Sequence, residues 1–298
     1  MSHVLTLIGN SSTKLTQDDV DAVAEVVQAI GTTSTPDWLK AEHACDLPLD
    51  AGDGALLNAA RKALGTAKID VILQPLAHRR KKLLVADMDS TIIEQECIDE
   101  LADALGLRPA ISEITERAMR GELEFEPALR ERVGLLKGLA ETELQRVYET
   151  QITETPGGRA LCATMRKHGG TCALVSGGFT FFTERVAKAV GFTSNQANTL
   201  LVANGSLTGE VSDPILGREA KVTAIKTLTS DLRIDPLETM AVGDGANDLG
   251  MIDEAGLGVA FHAKPVVAAA APAEVNHGDL TALLYIQGYR SDEIIDLV

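Results

Sequence analysis

The sequence predicts an α/β fold: a mainly parallel sheet that carries a helical insertion and is preceded by a smaller α/β domain. Three observations predict it. From Lys81 onward, strand-length apolar runs alternate with amphipathic helical periods. The interval after the first of those strands is helical throughout, and residues 1–78 hold a shorter alternation of their own.

Within the first segment, residues 4–8 read as a strand and 18–30 as a helix, with Val20, Val23, Ala24 and Val27 at helical spacing. Residues 38–49 are extended and irregular, 54–64 helical, and 69–73 a strand. This small α/β unit resembles the ACT type of amino-acid-binding module. The chain is accordingly expected to divide into 1–78 and 79–298.

In the larger part, strand runs at 82–86, 171–175, 239–242 and 257–261 are separated by helical patterns at 158–167, 181–190, 219–230 and 246–254. That alternation predicts a Rossmann-like sheet covered on both faces. Asn204-Gly205, at the centre of 200–209, marks a β-hairpin. Residues of about 94–155, including "ECIDELADALGL", "ISEITERAM" and "PALRERVGLLKGL", show helical periods and no strand. An insertion there forms a cap over the carboxyl edge of the sheet, where open α/β sheets bind ligands.

Composition narrows the partners. A formal charge of −16 disfavours nucleic acid and anionic membranes, though not a small anionic substrate met by local cations. The one basic run, His78 to Lys82, is expected to be a solvated junction. No apolar stretch reaches the roughly 20 residues of a membrane span, and the start lacks a basic leader, so a cytoplasmic location is expected. The four cysteines form no CxxC pair and are expected to be plain buried thiols.

Chemistry collects at the strand ends. Leu83 to Ala86 lead straight into Asp87 and Asp89. Buried like charges repel and lose hydration, so this placement demands a cation, a shared proton or a reaction. Ser176-Gly177-Gly178 follows "TCALV", and "GDGAND" follows "TMAV", bringing Asp244, Asn247 and Asp248; Lys221 stands on the helix before that strand. Such an oxygen-rich cluster suits Mg²⁺, and a hydroxyl, glycine amides and a lysine beside it make a phosphate cradle. Singly, each feature has an ordinary explanation: a turn cap, a tight turn, a solvated lysine. Their joint order and spacing favour a site.

"DMDST", "SGG", Lys221 and "GDGAND" resemble, in order, the four motifs of the haloacid dehalogenase-like phosphohydrolases, over residues of about 81–290. The resemblance implies that Asp87 is a nucleophile forming an aspartyl-phosphate and that Asp89 is the general acid and then base. It implies Mg²⁺ on Asp87, Asp244 and the Asp89 carbonyl, with Asp248 steadying the metal or its loop. Ser176, Gly177, Lys221 and Asn247 are implied to bind the phosphoryl oxygens.

"DMDSTIIEQECIDELA", "LRERVGLLKGL", "LVSGGF" and "AVGDGANDLGMI" are similar to family members acting on O-phosphoserine. That implies Glu96 for the ammonium, Arg132 for the carboxylate and Phe125 for shutting the cap. Serine binding by the first domain and pairing into a homodimer are the further partners this reading carries. Two alternatives stay open: a phosphatase or phosphotransferase for another small phosphomonoester, and a sensor of amino acids with catalysis secondary. A phosphorylated-aspartate ion pump fails for want of spans. Because all four motifs lie beyond Arg79, a chain beginning there is expected to keep catalysis.

Overall fold

The computed structural model describes residues 1–30, 35–119 and 122–296. The first segment runs β1 (His3–Ile8), α1 (Gln17–Ile30), β2 (Asp37–Lys40), β3 (Ala44–Leu49), α2 (Gly54–Ala63) and β4 (Asp70–Pro75). Its sheet has the order β2-β3-β1-β4 and is antiparallel throughout. This is a βαββαβ unit, the arrangement expected of an ACT-like domain. The stretch read as irregular is two strands reversing near Glu42, which takes a left-handed φ of 56°.

Side-chain alternation in this sheet feeds two different cores. Leu5, Leu7, Cys45, Leu47, Leu49 and Val71 pack under α1 and α2 with Val20, Val23, Val27 and Leu56. The opposite face is buried as well: Ile8, Ala44 and Ile72 join the main core that holds Leu284 and Tyr285. Those two belong to α12 (Ala282–Ile286), far along the chain. Thr6, Asp46 and Gln74, on the same face, are also buried.

The basic run at this junction is not the solvated segment its composition suggested. The Arg79 side chain is only 11% exposed and chelates Asp46, with Nη1 to Oδ2 at 2.6 Å and Nη2 to Oδ1 at 2.8 Å. Arg79 Nη2 also donates to the Thr6 hydroxyl, and its Nε to the Ile286 carbonyl. Lys81 is buried too and donates to the Leu237 carbonyl at 2.7 Å. Arg80 and Lys82, pointing the other way, are exposed and pair with Glu293 and Glu238. The run alternates as a strand does, which a charge count cannot register.

The larger sheet holds β5 (Leu83–Ala86), β6 (Thr171–Phe179), β7 (Ser194–Asn198), β10 (Thr239–Gly243), β11 (Leu257–Phe261) and β12 (Ala273–Val275). Its order is β12-β11-β10-β5-β6-β7, all parallel. The chain goes out from β5 to β6 and β7, then returns to β5's other side. The crevice between β5 and β10 is therefore the topological switch point, where such sheets bind ligands. Faces divide as the pleat requires. Leu84 and Ala86 pack with α7 (Gly158–Lys167), while Leu83 and Val85 pack with Ala224 and Ile225 of α9 (Arg218–Leu232) and Met251 of α10 (Leu249–Glu254). The edge strands β7 and β12 escaped the sequence reading. "SNQAN" is polar, and Ala273–Val275 is too short to show a period.

Between β5 and α7 lie α3 (Cys97–Ala104), α4 (Arg108–Met119), α5 (Phe125–Leu135) and α6 (Glu141–Gln151). The two connections into this cap pair with each other: Glu94 N donates to Thr153 O, and Thr155 N to Ile92 O. The hairpin of β8 (Leu200–Ala203) and β9 (Ser206–Val211) turns on Asn204 and Gly205, both at positive φ. It grips the cap through reciprocal bonds between Leu207 and residues 138–139. No helix among the described residues is long and apolar enough to cross a membrane. The four cysteines are buried and free.

Candidate active site

Strand β5 ends at Ala86, and the next residue places its side chain at the crevice. The Asp87 amide donates to Val242 O of the neighbouring β10, so the ladder between the two strands carries one step past β5 and fixes the residue. Asp87 Oδ1 accepts from Met88 N at 2.8 Å and pairs with Lys221 Nζ at 2.6 Å. Lys221, 1% exposed, also holds Asp248 Oδ1 at 2.5 Å, while Asp248 Oδ2 accepts from Gly245 N. Burial opposes the Lys221 charge, but Asp87 and Asp248 outweigh it and hold the ammonium's pKa above its ordinary value. A Cβ on Gly243 would lie 2.4 Å from Asp248 Cγ, so only glycine admits that carboxylate at the strand end.

Asp89 is held differently. Its Oδ1 accepts from the Cys97 amide at 2.8 Å and its Oδ2 from the Ser176 hydroxyl at 3.2 Å, with no cation paired to it among the described residues. Burial, followed by the Asp87 charge, pushes its carboxyl up to about 6 against the pull of the Cys97 amide. The Ser176 hydroxyl in turn accepts from Gly178 N. Ser90, next along, takes a left-handed φ of 55°, and its hydroxyl donates to Glu96 Oε1 at 2.8 Å. A non-glycine residue there stores about 1–2 kcal/mol of strain, the turn that sends the chain from the carboxylates into the cap.

Asp87, Asp244 and Asp248 lie with one oxygen of each within 4.8 Å of the others. The carboxylate of Asp244, a residue 7% exposed, receives only a long 3.4 Å bond from the Thr91 hydroxyl among the described residues. Burial first, then Asp87 and Glu96, push it up to about 6. Four carboxylates (87, 89, 244 and 248) thus gather where, among the described residues, Lys221 is the one ammonium paired directly with any of them, and Lys264 is a further positive charge felt by Asp244. A buried anionic excess made of oxygen ligands fits a hard dication.

Glu96, Phe125 and Arg132 come from the cap. Glu96 is open to the cleft, yet surrounding protein and then Asp89 push its carboxyl above the ordinary range. Arg132 is half-buried, with Nε on Ala128 O at 3.2 Å and a 3.4 Å contact from Nη1 to Thr115 Oγ1. Burial lowers the Arg132 pKa, and Glu96 and Asp99 oppose that. Asn247 folds over Gly245, where a Cβ would meet its Oδ1 at 2.3 Å.

Two contributors were missed by the sequence reading. Thr91 lies within the quoted first stretch but was passed over. Asn198, 2% exposed at the end of β7, donates from Nδ2 to the carbonyls of Gly177 and Leu216 and accepts from Leu216 N. It ties the serine–glycine loop to the chain entering α9. A polar residue in a polar edge strand gives no signal for that.

The family model for haloacid dehalogenase-like hydrolases matches residues 84–253. A phosphoserine phosphatase of Streptomyces coelicolor is 36% identical over 297 residues, covering 98% of this chain and 72% of its own. Another, of Archaeoglobus fulgidus, is 42% identical over 217 residues, 72% of this chain; the match spans 63% of that relative's length. Among solved structures, the unliganded probable phosphoserine phosphatase of Vibrio cholerae superimposes with a TM-score of 0.79 at 33% identity, over 98% of this chain and 88% of that one.

Proposed function

This chain belongs to the haloacid dehalogenase-like hydrolase family, and we propose that it hydrolyses O-phosphoserine to serine and phosphate through a phosphorylated Asp87. One observation carries the reading: two carboxylates two residues apart receive opposite environments. Asp87 lies against the Lys221 ammonium, whereas Asp89 is held by an amide and a hydroxyl. The first is paired with an ammonium and can attack phosphorus. The second, pushed up to about 6 by burial, can hold a proton for a leaving group.

Met88 N and Lys221 both engage Asp87 Oδ1, which leaves Oδ2 to form the new bond to phosphorus. As the phosphorus–serine oxygen bond breaks, Asp89 gives its proton to that oxygen. Asp89 then takes a proton from the water that hydrolyses the acyl phosphate, and the enzyme returns to its starting state. Acid–base assistance of this kind is worth ~10²–10⁴-fold. Ser176, the Gly177 amide, Asn247 and Lys221 cradle the phosphoryl oxygens as charge moves across them. Asp87, Asp244 and Asp248, with the Asp89 carbonyl, would hold Mg²⁺, which when bound would screen the phosphate's charge from Asp87. The names of the relatives support the substrate, and release of free serine makes this the last step of a route to that amino acid.

Phosphate release from O-phosphoserine, phosphothreonine, glycerol phosphate and p-nitrophenyl phosphate tests the reading, with Mg²⁺ and with chelator. The expected pattern is preference for phosphoserine and no turnover in chelator. Full activity in chelator would remove the cation from the site, and preference for an ester without an amino acid would remove the substrate.

Selectivity gives a second measurement. Glu96 offers an anion for the substrate ammonium, and Arg132 a planar fork for its carboxylate that lysine cannot reproduce. Arg132→Lys and Glu96→Gln are each expected to raise KM for phosphoserine by about 10- to 150-fold, the range for a charged hydrogen bond of roughly 1.5–3 kcal/mol. p-Nitrophenyl phosphate, which has neither group, should lose far less. Equal losses on both esters would place these residues in cap folding instead.

A further inference from the structure

We infer that Gly217 is the seat on which the cap closes, a positioning residue that holds Phe125, and with it the leading end of α5, over the phosphate cradle. The inference rests on the phosphatase reading above and on the local geometry of Gly217. Its backbone, at φ −107° and ψ −152°, is one that any residue adopts, so conformation does not call for glycine here. Gly217 is also the N-cap of α9, where Ser, Asn or Asp would satisfy an orphan amide and glycine satisfies none. Yet a Cβ at this position would lie 3.0 Å from Phe125 Cδ1 and 3.4 Å from Cε1. What glycine supplies is room for a ring.

The same ring meets a second glycine. A Cβ on Gly177 would lie 3.2 Å from Phe125 Cζ. Phe125 therefore rests against two core loops, one carrying the cradle amide and the other starting the helix that bears Lys221. Asn198 bolts these loops together, through the Gly177 carbonyl on one side and both backbone groups of Leu216 on the other. The core half of the contact is fixed, and the ring arrives from the cap. Through Phe125, Gly217 sets how far α5 can settle toward the cradle.

Gly217→Ser adds a capping oxygen and a Cβ together, so its two effects separate by sign. Folding stability is expected to hold or rise, because an N-cap hydroxyl is gained. Turnover is expected to fall about fivefold or more, because a methylene is forced into a filled contact. Hydrogen exchange of the α5 amides in orthovanadate, a probe that needs no turnover, should rise. In a Phe125→Ala background the ring is gone, and adding Gly217→Ser should change kcat by less than about twofold. Both O-phosphoserine and p-nitrophenyl phosphate are assayed. If the unsubstituted chain accepts only the second, the substrate reading fails while the seat is still decided; if it accepts neither, exchange decides. Unchanged kcat and exchange in Gly217→Ser, or a loss carried undiminished into the Phe125→Ala background, overturns the inference.

Discussion

Replacing Asp87 with asparagine is expected to lower phosphate release by about 10⁴-fold or more while leaving the chain folded and no less stable. The amide is nearly isosteric and keeps an acceptor for Met88 N, but it cannot form the acyl phosphate. Stability should not fall, because Asp87 is one of the crowded anions. Its charge contributes to the raised pKa values of Asp89, Asp244 and Asp248, after burial in each case. Lys221 keeps its bond to Asp248 when Asp87 is neutralised. Thermal melting in chelator should therefore place the variant at or above the parent. Borohydride reduction of parent enzyme mixed with substrate, followed by peptide mapping, should convert residue 87 and no other. Label on a different residue, or turnover in the variant within a hundredfold of the parent, would sink the nucleophile assignment.

The second large effect lies far from the chemistry. Arg79→Ala is expected to cost about 3–5 kcal/mol of folding stability, the range for breaking a buried ion pair by removing one partner. The side chains of Arg79 and Asp46 are 11% and 6% exposed, so solvent screens this pair little. Without the guanidinium, the Thr6 hydroxyl is the one side-chain donor left to the Asp46 carboxylate among the described residues. The carbonyls of Tyr285 and Ile286, at the C-terminal end of α12, lose the cation that satisfies them. Gln74 Nε2 still reaches Ile286 O, which sets a floor to the damage. Urea denaturation measures the loss. Arg79→Met with Asp46→Leu should recover most of it, since an apolar pair of similar volume leaves no orphaned charge. A loss under about 1 kcal/mol for Arg79→Ala would mean that water replaces the guanidinium at little cost.

Arg79 also changes what truncation can be expected to do. All four motifs lie beyond it, which on sequence grounds alone favoured an independent catalytic unit. The structure shows a shared core instead: Ile8, Ala44 and Ile72 lie in the same cluster as Leu284 and Tyr285. The Asp70 carboxylate accepts the backbone amides of Asn276, His277 and Gly278. Removing residues 1–78 would bare that apolar surface and strand those amides.

What the sequence made legible was local. Asp87, Ser176 and Asp244 follow apolar runs that end where they do because polar side chains begin, so strand, strand end and chemistry sit in one short window. The cap was legible for a related reason, an unbroken helical period where a strand was due. Asn198 was not, since its partners at 177 and 216 are brought to it only by the placement of β7 beside β6. Nor was the burial of Arg79 and Lys81, because α12 and the polar face of the first sheet decide it. Long-range pairing of polar groups leaves no period to read.

The burial of the first sheet beneath α12 bears on the order in which the chain can mature. During synthesis, β1 to β4 emerge early and can collapse onto α1 and α2, since that core is drawn from their own residues. Their other face carries Ile8, Ala44 and Ile72 beside the charge of Asp46, and it stays bare until Ala282–Ile286 have left the ribosome. A nascent chain of this design passes most of its elongation with half a sheet uncovered, the kind of surface that draws aggregation or chaperones. Slowing the ribosome between β4 and α12 should therefore lower soluble yield more than the same delay placed within the cap.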